Sequence, residues 1–192
     1  MGLTLSTAPS AEPVTLAEAK EWLRVDTGDT SQDNVLAILI KDAREVVEEY
    51  LGRSLIDQTW TWEMNSEDMK DPIDIPRPPI QSITSLTEYD EASGSETTNV
   101  TTSTNYQLIE GFRLVQRNDG WQINRKERAG KLIYVAGYGA AGSNIPQPIK
   151  TAILRKIATD FENREDRLAG TIVSDLSDES KKKLAKYRYY GI

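Results

Sequence analysis

The chain has 192 residues, of which 28% are charged and 38% hydrophobic, with a mean hydropathy of −0.52, enough for one good core or two small ones. It contains neither cysteine nor histidine, which excludes disulfide frameworks, thiol nucleophiles, Ser-His and Cys-His catalytic pairs and the usual zinc ligand sets. The net charge of −7 divides unevenly, with 7 basic and 21 acidic side chains in residues 1–110 and 16 basic and 9 acidic in residues 111–192, an asymmetry that bears on association and not on fold.

Residues 1–13 are small and polar with Pro9 and Pro13, and are expected to form a flexible lead-in. MGLTLSTAPSAEP has neither the basic start nor the apolar stretch of a secretion signal. Thr15-Leu16-Ala17-Glu18 is a capping-box pattern that opens a short helix to about Arg24. The polar loop VDTGDTSQDN then leads to the strongest helical signal, Asp33 to Leu55, and the two helices should pair as a hairpin. Val35/Leu36, Leu39/Ile40, Ala43, Val46/Val47 and Tyr50/Leu51 recur at a spacing of three to four and define one stripe. Lys41, Arg44, Glu45, Glu48 and Glu49 are expected on the solvated face, and Gly52 ends the helix. Ile38 lies off the stripe, so the first half of this helix is apolar on nearly all sides. Such a helix needs cover from two directions, supplied by its own chain or by a neighbouring subunit.

After Leu55 the period becomes alternating. Gln58 to Met64 places Trp60, Trp62 and Met64 on one face of a strand. Pro76-Arg77-Pro78-Pro79 is a stiff extended connection, and Ile80 to Tyr89 reads as a strand. Asp90 to Thr104 is a long loop or hairpin tip. Tyr106 to Ile109 and Phe112 to Val115 are short strands about a Glu110-Gly111 turn, Asn118 to Gly120 is another turn, and Lys131 to Gly137 is the strongest strand. The glycines Gly137, Gly139 and Gly142 mark a hinge. Ile145-Pro146-Gln147-Pro148 opens a helix with the stripe Ile149, Ile153, Ile157 and Phe161. Leu168 to Leu176 is irregular, Asp178 can cap a last short helix, and the chain closes on KKKLAKYRYYGI.

These elements describe an α+β chain: an N-terminal helical hairpin (1–56), an inserted antiparallel β domain (57–137), and a C-terminal helix with a basic arm (138–192), the helical parts forming one small bundle. No apolar run approaches the roughly 20 residues that span a bilayer.

Few residues suggest chemistry. The glycine cluster follows a strand as a phosphate loop would, but no Walker lysine follows it and two prolines displace the next helix. Glu45, Glu48, Glu49, Asp68, Asp71 and Asp74 could hide a carboxylate pair, although helix-face glutamates are ordinarily solvated. Trp60, Trp62 and Trp121 could stack sugars, which would make the β segment a carbohydrate-binding or tail-accessory domain. Alternation in a strand points instead to core roles. Lys181, Lys182, Lys183, Lys186 and Arg188 with Tyr187, Tyr189 and Tyr190 form a docking segment. It suits an acidic protein partner or, in a small DNA-binding regulator, nucleic acid; the acidic front half favours the protein partner. No catalytic residue, metal site or cofactor is expected.

The order of parts resembles the tailed-phage head–tail connector family, the head-completion or adaptor proteins. The resemblance is carried by PVTLAEAKEWLRVD, REVVEEYLGRSL followed by QTWTWEM, IPRPPIQSITSLTEYD, KLIYVAGYG and IPQPIKTAILRKIATDFENRED, over Pro13 to about Asp166. It implies a structural protein of the virion, made in the host cytoplasm and built into the capsid–tail junction. There it would form a dodecameric ring below the portal, extend the DNA channel and seat the next neck or tail-completion protein. Genomic DNA would pass without sequence-specific binding, and no membrane is involved. On this reading Val35, Leu36, Ile38 and Leu39 meet the adjacent subunit, the acidic half repels passing DNA, and the basic tyrosine arm reaches the portal and orders on binding.

Overall fold

The computed structural model describes residues 2–89, 96–97, 106–116, 127–163 and 176–190. Thr15 caps helix α1 (Leu16–Leu23) as the capping box requires. Its hydroxyl accepts the Glu18 N–H at 3.2 Å and the Glu18 carboxylate accepts the Thr15 N–H at 2.8 Å, reciprocal bonds that satisfy two otherwise orphaned donors. Helix α2 (Asp33–Leu51) ends at Gly52 in the left-handed region, φ 64°. Its buried residues include Leu36, Ile40, Ala43, Val47 and Leu51. They share one core with Ile149, Ile153 and Ile157 of helix α3 (Gln147–Glu162), with Ala19 of α1, and with Leu184 of helix α4 (Asp178–Leu184). Ser177, not Asp178, caps α4, accepting the Ser180 N–H. Asp178 is thereby shifted into the first turn, where its charge still complements the helix dipole.

A second core lies in the β region. The main sheet runs β1 (Gly2–Thr7), β2 (Gln58–Met64), β8 (Gly130–Ala136), β4 (Ile80–Tyr89), β5 (Glu96–Thr97), with every neighbouring pair antiparallel. Strand β8 holds the centre and buries alternate residues Leu132, Tyr134 and Ala136, the period of two that makes Lys131 to Gly137 so legible. A smaller sheet pairs β3 (Ile73–Asp74), β7 (Arg113–Gln116) and β6 (Tyr106–Ile109). Glu110 and Gly111, at φ 56° and 71°, make the tight β6–β7 turn in which both central residues need positive φ. This hairpin tip then accepts the Ile75 and Ile80 N–H groups on the Phe112 and Gly111 carbonyls, at 2.8 and 2.7 Å. Tyr134 donates its hydroxyl to the Pro76 carbonyl at 2.8 Å, and burial pushes that phenol far above its ordinary value.

Two expectations are corrected here. Residues 2–7 are not a free lead-in: they form β1, in register with β2 from Gly2↔Glu63 to Leu5↔Trp60, because the open flank of β2 needs partners for its backbone groups. This takes residues 2–7 out of the helical region expected for 1–56. Arg44 and Glu48 are not solvated either; they are 4% and 6% exposed. The Glu48 carboxylate accepts Arg44 Nη1 at 2.9 Å, the Leu55 N–H at 2.7 Å and Gln58 Nε2 at 3.0 Å. Arg44 also binds Glu12 at 2.9 Å and Glu45 at 3.1 Å. The group therefore ties the end of α2 to the turn after it, to β2, and to the segment before α1. Burial pushes the Glu48 carboxyl above its ordinary value despite the Leu55 and Arg44 donors. Its ionised form thus costs stability at neutral pH, a cost relieved as pH falls through that raised pKa, so Glu48 does not drive acid unfolding.

The expected hinge is, in this conformation, a packed crossing. Gly137 N–H donates to the Pro79 carbonyl, Tyr138 N–H to Leu55, and Asp57 N–H to Gly139, at 2.9 to 3.1 Å. A Cβ on Gly137, whose φ is 154°, would stand 2.5 Å from Ile56 C and Asp57 N, and one on Gly142 would strike the Pro13 carbonyl. Glycine serves here for close approach of two backbones.

Glu48→Ala should destabilise the chain by about 3–5 kcal/mol, since it strands Arg44 and two buried donors. Glu49→Ala, at an exposed position, should stay within about 0.5 kcal/mol. Urea unfolding of the two variants gives the comparison. Gly137→Ala should lose more than about 2 kcal/mol in the same measurement, because backbone atoms cannot yield to the new methyl.

Candidate assembly surface

Among the described residues no cluster of three or more His, Cys, Asp or Glu side chains could hold a metal ion. The carboxylates singled out as a possible catalytic pair are engaged elsewhere. Glu48 is spent on Arg44 and the α2 terminus, Asp74 holds Arg113 at 2.8 Å, and Asp68 accepts the Asn65 N–H at 2.8 Å. A tryptophan platform does not form from the described residues: Trp62 is 8% exposed. Trp60 donates to the Ser54 hydroxyl at 2.9 Å, with the Arg77 guanidinium 5.7 Å from its ring centroid. Trp121 lies outside the described residues.

The outer face of α2 carries the most exposed of the four residues expected at a subunit contact. Of the four residues expected at a subunit contact, Leu36 is fully buried in the chain's own core, and Val35 and Leu39 are half-buried. Ile38 is 68% exposed. Asp42, Glu45 and Glu49 follow Ile38 by four, seven and eleven positions, on the same line of the helix. Beside them a cavity of about 500 Å³ opens between α2 and the start of α4, lined by Val46, Tyr50, Leu176 and Lys181 under those three carboxylates. The α-helical period shows the Ile38 line in the sequence; the cavity needs α4 in place.

The C-terminal segment is not an extended arm through Tyr190. Leu184 enters the helical core and Tyr187 packs against it. Tyr189 N–H donates to the Leu51 carbonyl at 2.8 Å, and so satisfies an orphan acceptor at the end of α2. Tyr50 donates its hydroxyl to the Lys181 carbonyl at 3.1 Å, and Arg53 Nε donates to the Tyr187 carbonyl. The Tyr189 ring meets Phe112 edge-on, with centroids 5.3 Å apart, and so fastens the segment to the small sheet as well. Burial raises the Tyr189 phenol above its ordinary value. Arg188 lies over the Tyr50 and Tyr190 rings at 5.2 and 4.9 Å. The tyrosines expected to anchor a partner thus find their first seat on this chain, because the end of α2 offers both unfilled carbonyls and aromatic surface. Lys182, Lys183, Lys186 and Arg188 remain exposed and Lys181 half-buried, while Tyr190 is 69% exposed.

Sequence reasoning missed Arg53, which follows the α2 cap and holds the C-terminal segment at Tyr187, and Arg77, which holds the end of α2 from outside. Arg77 Nη1 donates to the Glu48 carbonyl at 3.2 Å and Nη2 to Glu49 at 3.3 Å. The proline-rich setting of Arg77 hinted at a fixed position but not at its target.

The sequence model of the phage gp6-like head–tail connector family matches residues 13–117. No curated protein matches the chain. Among solved structures, a chain in the virion of a native gene transfer agent (GTA) particle is similar with a TM-score of 0.75 and 22% identity, over 100% of this chain and 97% of that one. A chain in the neck of an empty GTA particle, computed with C6 symmetry, gives 0.72 and 20%, and one in the neck of a native GTA particle, computed with C12 symmetry, gives 0.69 and 20%. Both have the same coverage. At these identities the likeness is one of fold.

Tyr189→Ala should cost about 1–3 kcal/mol through lost aromatic packing, whereas Tyr190→Ala should stay within about 0.5 kcal/mol. Urea midpoints of the two single variants decide whether the segment is seated or free.

Proposed function

The chain belongs to the phage gp6-like head–tail connector family, and on that premise we propose that it forms a ring below the portal of a tailed particle. The ring extends the channel through which the genome passes and seats the next protein of the neck. The connector role, and with it a place in the virion, follows from family membership; the role is structural and we assign no catalysis to it. The finer reading, a closed ring, is supported by the similar folds found in particles computed with C6 and C12 symmetry. No helix among the described residues is long and apolar enough to cross a membrane.

The observation that carries the ring is Ile38. A large aliphatic side chain 68% exposed on the longest helix, flanked by half-buried Val35 and Leu39, leaves apolar area in water that a neighbouring copy would cover. In a head-to-tail contact each copy offers one surface and receives another, and twelve such contacts close into a dodecamer. The acidic front half then suits a channel wall that DNA slides past without sticking. The exposed cations Lys182, Lys183, Lys186 and Arg188 suit a contact to the portal, with Tyr190 beside them. Residues 1–56, 57–137 and 138–192 act in this scheme as the ring-forming, sheet and portal-facing parts, with residues 2–7 reassigned to the sheet.

Native mass measurement of the chain, alone and with portal, should give a closed multiple of subunits. Ile38→Asp should keep the unfolding midpoint within about 0.5 kcal/mol of the original, as exposed substitutions do, yet leave the mass at that of single subunits. A variant that still closes into a ring removes Ile38 from the interface.

A further inference from the structure

A second cavity, of about 290 Å³, opens between α3 and α4. Pro148, Thr151 and Ala152 of α3 form its wall, with Arg155 and Lys183 beside them. The α4 segment separates it from the cavity next to α2: Leu176 and Lys181 line that one, Ser180 and Lys183 this one. The hydroxyls of the lining are bonded at home, Thr151 to the Gln147 carbonyl and Ser180 to Ser177, both at 3.0 Å. Arg155 and Lys183 both reach one oxygen of Glu179, at 3.0 and 2.7 Å. Two cations on one carboxylate leave a positive excess beside small, largely apolar walls.

The outer line of α2 has the complementary character. Ile38 is 68% exposed and Asp42, one turn further on, is exposed as well. Of the three carboxylates on that line, Glu45 pairs with Arg44 and Glu49 with Arg77. Asp42 has no ion pair among the described residues. Lys41 is exposed too, but lies about 100° round the helix from Asp42. The spacings also agree: Ile38 to Asp42 on α2 and Thr151 to Arg155 on α3 are each four positions, a rise of about 6 Å along a helix. With α2 of one copy running the same way as α3 of the next, an isoleucine seated at Thr151 and Ala152 brings its neighbouring carboxylate to the level of Arg155.

We propose that the cavity between α3 and α4 receives Ile38 of a second copy of this chain, and that Arg155 and Lys183 take that copy's Asp42. The proposal rests on the ring reading above and names the surface that covers Ile38; it takes Lys183 from the cations offered to the portal. The giving and receiving surfaces are different parts of the chain, as a head-to-tail contact requires. Opposite charges across it fix register and partner more than they add affinity.

The absence of cysteine makes a cross-linking test direct. Ile38→Cys with Thr151→Cys, assembled into the ring and treated with a mild oxidant, should give a ladder of covalently joined subunits running past the dimer on a non-reducing gel. Neither single substitution should pass the dimer. A doubly substituted chain that closes by native mass yet yields no ladder overturns this contact and leaves the ring reading standing. A charge exchange covers the case in which the cysteines prevent closure. Asp42→Lys should weaken assembly by at least about tenfold at an unchanged unfolding midpoint, and adding Lys183→Glu should bring it back. An Asp42→Lys chain that closes as the wild type does overturns the contact, and so does a charge-exchanged chain that assembles no better than Asp42→Lys alone. A wild-type chain that forms no ring, alone or on portal, overturns both readings.

Discussion

Everything in this molecule is referred to the carboxylate of Glu48, held out of water at the end of the longest helix. A buried carboxylate is tolerated only with good partners, and its partners come from α2 itself, from the turn at Leu55 and from β2 at Gln58. Through Arg44 the same charge reaches Glu12, in the segment that joins β1 to α1. One ion pair therefore sets the approach of the helical core to the sheet. Replacing it with apolar side chains would keep the area buried but drop the angular demand that four hydrogen-bonding groups impose.

The end of α2 is closed from outside as well. Arg77, from the proline-rich connection, and Tyr189, from the C-terminal segment, take backbone carbonyls that a free helix end would leave to water. The glycine crossing at Gly137 to Gly142 presses against the turn that follows α2, and Tyr138 bonds to Leu55 beside Glu48's own contact. Three separate stretches of chain thus converge within a few residues of Gly52. Among the described residues Ile38, 68% exposed on the outer line of α2, takes no part in this knot.

That division between a tied end and free faces suits a spacer. Internal polar ties of high geometric demand are concentrated where the two cores meet. The charge asymmetry of the chain is partly consumed inside the fold. Lys150 of α3 holds Glu18 of α1 at 2.6 Å and Arg113 of β7 holds Asp74 of β3 at 2.8 Å, so acidic front and basic back attract first within one molecule.

What the sequence alone determined is what a few neighbouring residues can encode. The Thr15–Glu18 box, the α2 stripe and its stop at Gly52, the Glu110-Gly111 turn, the alternation of β8 and the α3 stripe all rest on contacts within about four positions or on period, and all stand in the structure as read. The α+β class followed from their order, and the family from their arrangement. The loop expected over Asp90 to Thr104, apart from Glu96 and Thr97, and the turn at Asn118 to Gly120 lie outside the described residues. Only tertiary structure decided the rest. Whether residues 2–7 are loose or a strand depends on the flank of β2, more than fifty residues later. Arg44 and Glu48 read as surface because nothing local announces that Glu12, Leu55 and Gln58 will surround them. The tyrosine segment reads as a free arm because its seat at Leu51 and Phe112 exists only once α2 and the small sheet have met. A partner chosen across the chain leaves no periodic trace in sequence, since the free energy that selects it is gained when the fold closes.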